Sequence, residues 1–80
     1  MKFISTEGRI FAVDIRPSRW PRRSYETSKS EFQWYIGNLV EAIFPNELIL
    51  EEFYVPYDRL YIDFFLPRKK LAVEVMGEQH

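Results

Sequence analysis

The sequence has no cysteine and a single histidine. The first absence excludes disulfides and thiolate zinc sites, and the second excludes a histidine-rich metal centre. No apolar run approaches the roughly 18 residues of a membrane span, and no secretory signal is visible, so no membrane partner and a cytoplasmic setting are expected. Repeats and low-complexity segments are also missing. The formal net charge is −1, without the basic excess of a strong nucleic-acid binder. Eighty residues make one domain at most, and a chain this short buries only about 60% of its unfolded surface. An aromatic content of 18% works against that handicap.

Charge is unevenly spread. Arg9, Arg16, Arg19, Arg22 and Arg23 crowd the first quarter, whereas Glu41, Glu47, Glu51, Glu52 and Asp58 fall later. Such a basic cluster suits either a phosphate backbone or a solvated loop. Lys2–Ser5 and Arg9–Ile15 read as a hairpin around Glu7-Gly8. Residues 16–28 hold Pro17 and Pro21 and show no periodicity, which predicts a loop or extended arm. Arginines alternating there with Trp20 and Tyr25 fit phosphate contact and base stacking, or an arm packed over a core.

Ser28 reads as an N-cap with Glu31 completing a capping box. Phe32, Ile36, Leu39, Val40 and Ile43 follow helical spacing until Phe44-Pro45 stops it. A helix over 29–44 is expected, its apolar stripe covering one face of a sheet. Leu48–Val55 reads as a strand closed by Pro56. A symmetric turn there would pair Val55 with Leu60 and set Glu52 opposite Asp63, although Glu51 and Glu52 would exchange faces on a one-residue slip.

The last twenty residues organise the chain. Leu60–Leu66 and Leu71–Met76 are strand-like, joined by Pro67-Arg68-Lys69-Lys70. A symmetric turn pairs Leu66 with Leu71 and places Asp63 opposite Glu74, on a face shared with Tyr61, Phe65, Ala72 and Met76. Like charges so placed repel. Either the pair lies on a solvated face with nearby Lys or Arg, or a hard divalent cation joins the two carboxylates. Gly77 follows, where backbone could approach a ligand, and then His80, a side chain that titrates near neutrality.

Asp63, ten residues, Glu74-Val75-Met76, then Gly77-Glu78-Gln79-His80 resembles the core of the PD-(D/E)XK nuclease superfamily. The likeness is to its EDxHD branch, which includes very-short-patch mismatch-repair endonucleases and phage homing endonucleases. Two positions depart from the pattern: Met76 stands where a lysine is usual, and the final Asp would lie beyond His80. The resemblance implies an α/β fold with a helix packed on a mixed β-sheet, a restriction-endonuclease-like core. Residues 1–28 would form an N-terminal hairpin and basic arm, and 29–80 the nuclease core. It implies an endonuclease acting on double-stranded DNA in a bacterial or phage-infected cell. Asp63, Glu74 and the Val75 carbonyl would bind Mg²⁺, with Mn²⁺ able to substitute. Glu31 and His80 would join Asp63 as catalytic residues, with His80 as general base. Arg16, Arg19, Arg22 and Arg23 would contact DNA. The alternatives are a non-catalytic DNA-binding module with the same fold, and a structure-selective nuclease such as a junction resolvase. Such a core normally continues with another helix and strand, so further domains are expected in a longer protein. The face carrying Tyr61, Phe65 and Met76 lacks a covering helix, which points to a homodimer through that face.

Overall fold

The computed structural model describes residues 1–4, 7–56 and 58–76. Gly77 and His80 lie outside the described residues. The first hairpin pairs β1 (Lys2–Ile4) with β2 (Ile10–Ala12) antiparallel, Phe3 opposite Phe11. After an arm comes α1 (Glu31–Ile43), then an antiparallel meander of β3 (Leu50–Val55), β4 (Leu60–Leu66) and β5 (Leu71–Val73). This is a small α+β fold. A mixed sheet was expected, but every pairing among the described residues is antiparallel. The physical reason is that β2 closes on β1 and never joins the meander, so the helix connects two separate sheets and no parallel crossover arises.

Both turn registers follow the symmetric reading: Val55 pairs with Leu60, and Leu66 with Leu71. The alternation of faces along β3 fails at one residue. Glu52 has φ 51° and falls opposite Asp63, between the pairs Glu51–Phe64 and Phe53–Ile62. Strict alternation would send Glu51 and Glu52 to opposite faces. With the left-handed turn between them, both reach the same helix side chain, Gln33. The register is the symmetric one, and what departs from regular alternation is the facing of Glu51 and Glu52.

Two apolar clusters sandwich the meander. Val40 and Ile49 pack with Phe64 and Leu66, joined by Ile36, Val73 and Val75. Val13, Leu50, Phe53, Val55 and Phe65 form the other, closed by Phe3, Phe11 and Trp20. The sheet face expected to be bare is therefore covered at Phe65, which is 5% exposed. The Phe3 ring lies 5.7 Å from it. A hairpin assigned to a peripheral arm supplies the second layer, which removes the premise for a homodimer through that face; Tyr61 and Met76 stay exposed at its margin.

The helix begins later than predicted. Its N-cap is Ser30, whose Oγ accepts from the Gln33 N–H at 3.0 Å. Ser28 is spent in the preceding turn, its N–H donating to the Ser24 carbonyl and its Oγ to that of Ser30. Glu31 is then the first helical residue and not the third, so the Ser28–Glu31 capping box does not form. The inward face also differs. Gln33, Gly37 and Val40 are buried, while Phe32, Leu39 and Ile43 face solvent.

Candidate functional site

The polar centre of the molecule lies between α1 and β3. Glu51 is 1% exposed, and an ionised carboxylate there requires partners. Three donors meet it: Arg22 Nη1 at 2.6 Å and the Arg23 N–H at 2.7 Å on Oε1, and Gln33 Nε2 at 3.1 Å on Oε2. The second Nε2 proton of Gln33 goes to Glu52 Oε2, also at 3.1 Å. Arg22 further donates to Glu41 at 2.6 Å and to Asn38 at 3.3 Å. Its guanidinium lies 5.4 Å from the Phe64 ring centre. Only a residue without a side chain lets it pass the helix, since a Cβ on Gly37 would meet Arg22 Cζ at 2.7 Å.

Beyond Glu52 the acidic row continues into Asp63 and Glu74. Asp63 is 7% exposed, and its Oδ2 accepts the Val75 N–H at 2.7 Å. That side-chain acceptor occupies the place of a ladder carbonyl, and β5 leaves the sheet after Val73. The Glu74 carboxyl is raised above its ordinary value, first by desolvation, then by the Asp63 charge and a hydrogen bond between the two side chains, with Glu52 adding a smaller push. The two acids thus sit close enough for the Asp63 charge to act on Glu74.

The other sequence-predicted residues are dispersed. Glu31 is exposed and lies two residues before Gln33, about 200° around the helix from it. The helix thus presents Gln33 toward the acidic row, and Glu31 elsewhere. A Ser-x-x-Gln signature at Ser30–Gln33 was the signal that could have located both the cap and this residue. Arg22, expected at phosphates, has its donors engaged within the protein by Glu51, Glu41 and Asn38, and its side chain is 19% exposed. Arg16 forks onto half-buried Asp14, with Nε at 3.0 Å from both carboxylate oxygens and Nη2 at 2.7 Å from Oδ2. This holds the Asp14 carboxyl down at about 2. Arg19 stands 5.3 Å over the Trp20 ring, whose Nε1 donates to the Asp14 carbonyl at 2.7 Å. Arg23 is exposed.

Among the described residues no three acidic or histidine side chains gather at metal-binding range. The donor set is two carboxylates and the neighbouring backbone. That fits an ion such as Mg²⁺, which keeps several waters and uses one or two carboxylates together with substrate phosphates. No family model matches the chain, and no curated protein and no solved structure is significantly similar to it.

Proposed function

We propose that the chain is a metal-dependent phosphodiesterase core acting on double-stranded DNA, similar in plan to the EDxHD nucleases. One observation carries the reading: Asp63 on β4 and Glu74, just past the end of β5, stand close enough that the Asp63 charge adds to the desolvation raising the Glu74 carboxyl above its ordinary value. A cation placed between two neighbouring carboxylates offsets their repulsion. Asp63, Glu74 and the Val75 carbonyl would hold Mg²⁺ or Mn²⁺. When bound, the ion would polarise the scissile phosphate and acidify a water. The Val75 N–H keeps Asp63 oriented for that task, and Gln33 restrains Glu52 beside it. Exposed Met76 cannot move a proton, which leaves that role to His80. Arg16, Arg19 and Arg23 are the exposed arginines of the arm that would meet phosphates.

A second reading is a non-catalytic DNA-binding module. It is favoured by the bond from the Val75 N–H, which gives Asp63 a sufficient structural role at the end of β5.

The test pairs stability with cleavage. Mg²⁺ or Mn²⁺ should raise the melting temperature of the wild type by ligand linkage and leave Asp63→Asn unmoved. Duplex DNA should be cut only with metal and only by the wild type. An equal thermal shift in both proteins would refute the metal site. A shift confined to the wild type without cleavage of duplex or branched DNA would favour the binding module.

A further inference from the structure

One flank of α1 is apolar and open to water. Phe32, Tyr35, Leu39 and Ile43 are 50%, 56%, 43% and 67% exposed. At about 100° per residue they lie within about 80° of one another, well away from the inward face of Gln33, Gly37 and Val40. The two ends of this stripe differ in charge. Glu31 lines the hollow at the N-terminal end with Phe32 and Tyr35. Lys69 lines the hollow at the other end with Ile43 and Phe44, its Nζ 5.6 Å from the Phe44 ring centre. Glu47, in the same hollow, is paired with Arg68 at 3.2 Å.

We propose that this stripe is where a second copy of the chain docks, the two helices running antiparallel across a two-fold axis. The spacing is self-complementary. An axis between Gly37 and Asn38 sets Phe32 of one copy against Ile43 of the other, and Leu39 against Tyr35 and Ile36. The same axis brings Glu31 of each copy to Lys69 of the other, so opposite charges meet twice; a parallel arrangement would set Glu31 against Glu31. An interface of this kind is isologous and closes on itself. An aromatic side chain buries about 150–250 Å² in full, so the half-exposed stripe offers about 400 Å² per copy. That is roughly half the share of a standard interface, which predicts a weak, concentration-dependent dimer. The inference rests on the helix and on Lys69 in the turn after β4, and stands apart from the nuclease reading.

Sedimentation equilibrium of the full chain from about 10 µM to about 1 mM brackets such a weak association. The wild-type mass should climb toward that of a dimer. Glu31→Lys and Lys69→Glu alter exposed side chains, and folding is checked by circular dichroism. Each alone should associate about tenfold more weakly, since like charges then face each other. An equimolar mixture of the two variants should recover the wild-type mass, because both charge pairs are restored between unlike copies. A wild type that stays monomeric throughout overturns the proposal, and so does a mixture no better than its components. Leu39→Lys should abolish association; a dimer that survives it lies on another surface and overturns the assignment of this stripe.

Discussion

Arg22 Nη1 donates at 2.6 Å to a Glu51 carboxylate whose side chain has no exposure to solvent. This pair joins the N-terminal arm to β3 and, through Glu41 and Asn38, to α1. Removing one member of a buried pair leaves an uncompensated charge, which costs about 3–5 kcal/mol. For a chain of this length that is a large share of a total stability of about 4–12 kcal/mol. Arg22→Ala should therefore be largely unfolded at mild urea concentrations. Arg22→Met with Glu51→Leu should recover much of the loss. A midpoint for Arg22→Ala within error of wild type would show that the guanidinium is free.

Gly37 gives a test of opposite sign in two backgrounds. Alanine is the better helix former by about 1 kcal/mol. In the wild type its Cβ would meet Arg22 Cζ at 2.7 Å, and the guanidinium cannot retreat while Glu41 and Glu51 hold it. Gly37→Ala should destabilise the wild type by about 1–3 kcal/mol, the usual cost of overpacking. In an Arg22→Ala background the same change should stabilise. A double-mutant cycle by chemical denaturation measures the coupling.

The parts of the fold legible in the sequence were local. The symmetric turns after Val55 and Leu66 and the body of α1 follow from proline placement and strand pattern, whereas the expected Asp63–Glu74 pair falls one step past the last pairing of β4 with β5, Phe64 with Val73. The facing of α1 was not legible, because a polar layer of Arg22, Gln33 and Glu51 lies between helix and sheet. Where charge is buried, the apolar stripe no longer marks the inward side. The cover over Phe65 was hidden too, since it depends on a contact between Phe3 and a residue sixty-two positions later. Within the candidate site, the nearness of Asp63 and Glu74 could be read from the strand pattern, whereas Gln33 required knowing which serine caps the helix.

That choice of cap has its own test. Ser30 Oγ accepts from Gln33 N–H, so Ser30→Ala should cost about 1 kcal/mol. Ser28→Ala removes only a bond to the Ser30 carbonyl and should cost less. The reverse order of urea midpoints would restore Ser28 as the cap.

Two carboxyls should give the stability curve slopes of opposite sign. Glu74 is raised from 4.5 in the folded chain, so the native state binds more protons than the unfolded state between that value and the raised one. Its contribution is complete below the ordinary value and is lost as pH rises through the raised one. Glu74→Gln should remove that decline and be the more stable protein at neutral pH. Asp14 is lowered from 3.8 to about 2, so its contribution is present above the ordinary value and is lost as pH falls through about 2. The pair with Arg16 is exposed, so salt should weaken the Asp14 effect. Denaturant midpoints across pH for the wild type, Glu74→Gln and Asp14→Asn resolve the two slopes.

The arm offers a quantitative check on DNA contact. Arg16, Arg19 and Arg23 are exposed, whereas the Arg22 donors are committed to Glu41, Asn38 and Glu51. If the first three neutralise phosphates, each releases counterions, and the slope of log K against log salt should fall by roughly 0.9 for each one replaced by Ala. Arg16 must trade its carboxylate partner for a phosphate. Asp14→Asn should therefore tighten DNA binding at low salt while leaving the slope nearly unchanged, because the competing anion is gone and the number of phosphate contacts is not. Fluorescence anisotropy on a short duplex across a salt series measures both effects. A triple Arg16, Arg19 and Arg23 alanine variant with the wild-type slope would assign the arm wholly to packing over Phe53, where Trp20 already rests edge-on at 5.4 Å.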